Sequence, residues 1–156
     1  NPINYKIPSD ISSSAFFIAL TVLSKKSQLT IKNVNINPSR VGMLTILKKM
    51  GVKISFKKKR IYNGEAIADI IVKSPKTLKS INCPSRLNNG AIDEFLIIFL
   101  IAAKAKGVSF FKNLVRPIFF TSRRAIFFFI PSTLLDIYGN LGGVHFRCVA
   151  NKLNKL

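Results

Sequence analysis

Acid is scarce in this chain of 156 residues. Asp and Glu together number 6 against 25 Lys and Arg, and the formal net charge is +19. So few carboxylates, with one His and two Cys, leave no visible metal constellation. His145 is the only histidine and has no partner motif, so a structural role is the simpler reading. Cys83 and Cys148 stand alone, without CxxC or metal spacing. That favours a reduced, intracellular protein, with a single disulfide left open. Long apolar runs are missing as well. Phe95–Ala103 and Ala125–Pro131 fall well short of the roughly 20 residues that a membrane span needs, so no span is expected. The chain starts at Asn1 with no basic-then-apolar leader, and it reads as a fragment or a trimmed product. It carries no helix-turn-helix signature and no aromatic-basic motif of an RNA-binding sheet, which argues against a specific nucleic-acid partner.

What is present is enough for a folded domain. Hydrophobic residues make up 48% of the chain and charged residues 20%, outside the disordered range, and this length can bury a real core. The positive charge favours contact with anions in general. The lysines, however, are scattered over helix ends and turns, as expected when base composition drifts toward A and T. Only Lys57–Arg60 is a dense run. It precedes Asn63-Gly64, a hairpin signal, so a solvated hairpin tip accounts for it.

Period and punctuation divide the chain into elements. Asn4–Ile7 reads as a short strand. Asp10 or Ser12 can cap a helix over Ser12–Leu23, with Ala15, Phe16, Ala19, Leu20 and Leu23 facing the core. Gln28–Val34 alternates as a strand does, with Leu29, Ile31 and Val34 inward. Pro38-Ser39 opens a second helix, Arg40–Met50, with Val41, Leu44, Leu47 and Lys48 on one face, and Gly51 closes it. Val52–Lys58 and Ala66–Lys73 are strands joined at Asn63-Gly64. The order β-α-β-α-β-β calls for helices packed on one face of a sheet.

The order then begins again. Leu78–Ile81 is a weak strand, Ile92–Lys106 a strong helix and Val108–Lys112 a strand. Sliding the chain by about 80 residues lays Lys32-Asn33-Val34 on Lys112-Asn113-Leu114, an internal repeat at supersecondary scale. Beyond Leu114 the match weakens. Pro117–Pro131 is crowded with Phe, and Phe119, Phe120, Phe127, Phe128 and Phe129 form a candidate apolar patch. Leu134–Leu141 reads as the unit's second helix and Gly143–Val149 as its strand. In that alignment Asn140–Val144 echoes Lys49–Val52 after an insertion of about a dozen residues.

Four motifs occur in order: Ser9-Asp10 with Ser12–Ser14, Asn37-Pro38-Ser39-Arg40, Lys48-Lys49-Met50-Gly51 and Ile92-Asp93-Glu94. As a set they resemble the carboxyl-terminal half of the 5-enolpyruvylshikimate-3-phosphate synthase family. The resemblance covers Ile7 to about Leu114. It implies an α/β (α+β) fold with about two of the family's six β-α-β-α-β-β units. On this division residues 1–116 are a partial enolpyruvyltransferase-like domain, and 117–156 are its degenerate Phe-rich continuation.

The resemblance also implies a reaction: transfer of the enolpyruvyl group of phosphoenolpyruvate onto shikimate 3-phosphate, in the shikimate pathway of aromatic amino acid biosynthesis. No metal or cofactor is implied, and the setting is cytoplasmic. Asp93 corresponds to the Asp that orients or deprotonates the reacting hydroxyl, which makes it the candidate catalytic residue. It should lie at a helix start on a solvent-reachable rim, with Asp10–Ser14 at an equivalent start one repeat away. Glu94 is its first-turn neighbour. In the family's LRVKESDR motif a Lys and a Glu supply a cation and a proton donor. An ungapped count from Asp93 puts Phe120 and Thr121 there, keeps Ser122, puts Arg123 at the Asp and Arg124 at the final Arg. Arg124 is therefore the candidate substrate-binding residue. An alternative register near Ile130–Thr133 offers no Lys-Glu either. The family's other substrate loops are absent, so a chain inactive by itself and a missing second domain or polypeptide are expected. Two readings stand beside this one: a small basic polyanion-binding protein, and a remnant without function.

Overall fold

The computed structural model describes residues 7–114, 135–140 and 143–149. Residues 4–6 of the expected first strand, the Phe-rich stretch 117–131 and Arg124 lie outside the described residues. The elements are α1 (Ile11–Leu23), β1 (Gln28–Asn35), α2 (Gly42–Lys49), β2 (Lys53–Tyr62), β3 (Glu65–Lys73), β4 (Asn82–Cys83), α3 (Phe95–Ala102), β5 (Val108–Leu114), β6 (Leu135–Asn140) and β7 (Gly143–Val149). Two 3-10 turns, Ser85–Leu87 and Asn89–Glu94, lead into α3. This is the mixed helix-and-sheet class that the repeated order implied.

One sheet has the order β1-β3-β2, all antiparallel, and Ser9 adds a parallel bridge to Val34 on the outer side of β1. The second sheet has the order β4-β5-β7-β6, with β4 parallel to β5 and the other pairs antiparallel. The two sheets thus share one plan, and the match reaches single residues. The β1–β3 register slips between Ile31 and Val34, and the β5–β7 register slips between Phe111 and Leu114. These are equivalent positions under the repeat shift. A bulge re-aims the strand, which is why Val34 faces the core despite breaking the odd-numbered alternation of Leu29 and Ile31.

The second unit corrects the sequence reading. Leu134–Leu141 was expected as a helix, but Leu135–Asn140 is strand β6. Gly139 and Asn140 are poor helix residues. Asn140 pairs with Gly143 as Tyr62 pairs with Glu65 in the first unit, where Asn63 and Gly64 turn with φ of 48° and 82°. Asn140–Gly143 therefore echoes the hairpin, not the Lys49–Val52 helix end, and the inferred insertion disappears. Gly143–Val149 is a strand, as expected. The weak strand expected at Leu78–Ile81 falls later, at Asn82–Cys83, with only an isolated bridge at Lys79.

α1 and α2 begin and end within two residues of their expected bounds, whereas the helix expected over Ile92–Lys106 shortens to Phe95–Ala102, and the inward faces differ. In α1 the buried residues are Ile11, Ser14, Ala15, Ile18, Ala19, Thr21 and Val22. Phe16, Phe17 and Leu20 are 65%, 61% and 64% exposed, and Leu23 is also exposed. In α2 Lys48 points outward, its ammonium 4.7 Å from the Phe56 ring centre, while Met43, Leu44, Ile46 and Leu47 are buried. The expected helix from Ile92 starts later, because Asn89–Glu94 is a 3-10 turn and α3 begins at Phe95. Phe95, Phe99 and Phe111 are fully buried against one another, with ring centres 5.2 to 6.1 Å apart. Each such ring contributes about 1.5–3 kcal/mol by burial alone. Among the described residues no helix is long and apolar enough to cross a membrane.

Candidate functional site

α1 starts where Asp10 ends the extended backbone. Its carboxylate Oδ2 accepts from the Ser13 amide at 2.8 Å and from the Ser13 hydroxyl at 3.0 Å, satisfying an otherwise unpaired first-turn donor. These bonds, the Ser13 amide foremost, hold the Asp10 carboxyl below the usual carboxylate range.

The next loop brings a cation to this helix start. After β1, the Asn35 side-chain oxygen accepts from the Asn37 amide, and the Asn37 oxygen accepts from the Ser39 amide and hydroxyl. The Arg40 amide donates to the Asn37 carbonyl at 2.9 Å. This chain of Asx turns fixes the backbone around Pro38 and aims Arg40 across the gap. Arg40 Nη2 lies 3.7 Å from Asp10 Oδ1 and donates to the Ser12 hydroxyl at 3.1 Å.

The second unit supplies the remaining members. Arg40 Nη2 is also 3.8 Å from Asp93 Oδ2. Ser12 Oγ in turn donates to Glu94 Oε1 at 2.5 Å, joining residues 82 apart in sequence. The approach depends on two glycines. A Cβ built on Gly42 would sit 2.4 Å from the Gly90 carbonyl carbon, so α2 meets the 3-10 turn backbone to backbone. Glu94 is only 3% exposed, and burial raises its pKa despite the Ser12 bond. Asp93 and Arg40 remain exposed. One side of this cluster opens into a cavity of about 320 Å³ edged by Ser9, Asp10, Asn35, Asn37, Arg40 and Glu65.

Chemically, the arrangement offers a solvent-reachable carboxylate held beside a guanidinium, with a buried neighbouring carboxyl whose pKa burial raises. It can accept a proton from a hydroxyl at Asp93 and attract an anion at Arg40. Asp93 lies just before a helix start, beside Asp10 at the start of α1, in the relation that the sequence suggested. Arg40, Ser12 and Glu94 join the cluster, although the sequence alone marks them only as turn, cap and first-turn residues. Arg40 was visible in Asn37-Pro38-Ser39-Arg40, but only as part of a turn. Cys83 is a free, buried thiol whose pKa burial pushes up to about 11, which disfavours the nucleophilic thiolate.

Comparison with known proteins finds relatives of the chain. A family model described as EPSP synthase (3-phosphoshikimate 1-carboxyvinyltransferase) matches residues 1–117. The 3-phosphoshikimate 1-carboxyvinyltransferase of Ruthia magnifica subsp. Calyptogena magnifica is 44% identical over 107 residues, which is 69% of this chain and 24% of that protein. The enzyme of the same name from Hydrogenovibrio crunogenus is 44% identical over 104 residues, 67% of this chain and 23% of its own length. A solved EPSP synthase from Acinetobacter baumannii superimposes with a TM-score of 0.76 at 32% identity, over 91% of this chain and 32% of that one. The chain thus spans about a quarter of the length of the curated relatives it matches.

Proposed function

The chain belongs to the EPSP synthase (3-phosphoshikimate 1-carboxyvinyltransferase) family, and from that premise we propose that its Asp10–Arg40–Asp93 cluster is one wall of a site for enolpyruvyl transfer. The donor is phosphoenolpyruvate and the acceptor is shikimate 3-phosphate. The acceptor hydroxyl bonds to the enol carbon while its proton passes to Asp93, and the methylene carbon takes up a proton. The tetrahedral intermediate then expels phosphate and loses a methyl proton to restore the double bond. Asp93 acts on the hydroxyl, and Arg40, 3.8 Å away, orients that carboxylate. The observation that carries this reading is the convergence of Asp10 and Asp93, from two repeat units, on one guanidinium.

These residues act with further polypeptide of the enzyme. α1 and α3 contain no charged residue in a chain of net charge +19, yet Phe16, Phe17, Leu20, Leu96 and Leu100 are exposed. An uncharged apolar face of this kind is a packing surface. The pairing of β5 with β7 supports treating 117–156 as a continuation of the domain begun in 1–116. Arg124, the sequence candidate for holding substrate, belongs to that continuation. A cytoplasmic setting accords with the free thiol of Cys83.

Without a Lys-Glu pair, transfer by these 156 residues alone is not expected. Loss of a single positioned acid or charge donor costs about 10²–10⁴ in rate. Two measurements test the reading. NMR titration with shikimate 3-phosphate should shift the Ser12, Arg40 and Asp93 signals, and Asp93→Ala should weaken the effect. Shifts confined to the Lys57–Arg60 hairpin would place the ligand elsewhere and overturn it. Phosphate release with both substrates should stay at background. Saturable release that Asp93→Ala abolishes would show that other residues supply the missing acid and cation.

A further inference from the structure

The carboxylate cluster occupies one end of α1 and α3, and the opposite end of the same two helices is built from lysine. A second cavity, of about 500 Å³, lies between the carboxyl-terminal end of α1, the segment after β3 and the end of α3. Lys25, Lys76, Lys104 and Lys106 edge it, and none of the residues lining it is acidic. Among the described residues the ion pairs involve Arg40 alone, so these four ammonium groups have no carboxylate partner there. The Lys76 and Thr77 amides, which follow Pro75 at the same rim, also have no acceptor among the described residues. The floor is apolar, formed by Val22, Leu23 and Leu78.

Distance keeps the two ends electrostatically separate. The 13 residues of α1 span about 20 Å. Screening at physiological salt acts over about 8 Å, so the carboxylates at the helix starts do not offset the lysine field at the helix ends. Four cations edging one cavity repel one another, and a multiply charged anion relieves that repulsion while accepting from the Lys76 and Thr77 amides. Helix carbonyls at this end attract single lysines, but that attraction accounts neither for the cavity nor for the amides. The volume lies within the range of small-ligand sites.

We propose that this cavity binds a small polyphosphate anion of the pyrophosphate or triphosphate class, as a site separate from the carboxylate cluster. The lysines serve as mobile point charges on the terminal phosphates, and the Lys76 and Thr77 amides contact one phosphate directly. Because the whole chain is basic, the test compares two variants of equal charge. One is Lys25→Ala/Lys76→Ala/Lys104→Ala and the other is Lys32→Ala/Lys57→Ala/Lys59→Ala, all exposed positions. Calorimetric titration of the protein with inorganic tripolyphosphate should show saturable binding. The first variant should weaken it by at least about tenfold and the second by no more than about twofold. Equal weakening in both would reduce the effect to general charge and overturn the proposal, as would absence of saturable binding to the unmodified protein. ATP and tripolyphosphate distinguish the sources of the same chemistry. Equal affinity assigns recognition to the phosphate chain alone, and tighter ATP binding assigns it to a nucleotide whose base uses the apolar floor.

Discussion

In the first unit Ser9 bridges to β1 and the sheet continues through β3 to β2; in the second, β4 pairs with β5 and the sheet continues through β7 to β6. The strands repeat down to the position of the bulge, but the helix starts do not. α1 is capped by its own Asp10, so its first turn is satisfied locally. α3 has no side-chain cap and enters through a 3-10 turn held from outside. The Gly42 backbone packs on Gly90, and Ser12 donates to Glu94. The second unit's helix start is therefore held by the first unit as well as by its own Asn88, which donates to the Lys112 carbonyl. Asp93 inherits its position from that dependence, which places the candidate site at a junction between units.

The largest effect should come from removing what the second unit does own. Phe99→Ala opens a cavity among three buried rings and should cost about 3–5 kcal/mol in denaturant unfolding. Phe16→Ala, on the exposed face of α1, should stay within about 0.5 kcal/mol. A comparable loss at Phe16 would mean that the α1 face is already covered in this chain.

Gly42→Ala attacks the junction itself. The added methyl meets backbone, which cannot rotate aside as a side chain can, so a loss of about 1–3 kcal/mol is expected. The Arg40–Asp93 approach should loosen with it, visible as weaker NMR coupling between changes at the two side chains. A neutral substitution would show that the two units are not held by this contact.

The smallest effects have opposite pH signs. Asp10 has a lowered folded-state pKa, so its contribution is present above its ordinary value of 3.8 and is lost as pH falls through the folded-state value. Asp10→Ala should cost about 1 kcal/mol at neutral pH, and the deficit should shrink in acid. Glu94 has a raised folded-state pKa. Its folded form is favoured fully below the ordinary 4.5, and that advantage disappears as pH rises through the folded-state value. Glu94→Gln retains an acceptor for Ser12, so its stability relative to the parent should improve as pH rises from 4 to 7. Unfolding midpoints of both variants across that range check the signs, and parallel curves would remove the contrast between the two starts.

Local chemistry determined much of this protein. The Asn63-Gly64 hairpin, the Gly51 helix stop, a helix cap at Asp10 or Ser12 and the strand alternation of β1 each depend on residues within a few positions of one another. All were readable before any coordinates. The motif series likewise singled out Asp93 as a candidate. Tertiary structure decided what had no local contrast. α1 carries no charge, and Phe16 and Leu20 are as apolar as Ile18 and Val22, so periodicity alone could not say which stripe faces inward. Leu135–Asn140 became a strand because β7 lies beside it, and a short apolar stretch without helix signals takes the form of its neighbour. The site itself is the extreme case. Asp10, Ser12, Arg40, Asp93 and Glu94 come from two units and meet only when two glycine backbones touch. A local pattern records what each residue does to its own backbone. It carries no record of which distant carboxylates a single guanidinium will hold together, because that depends on how the units pack.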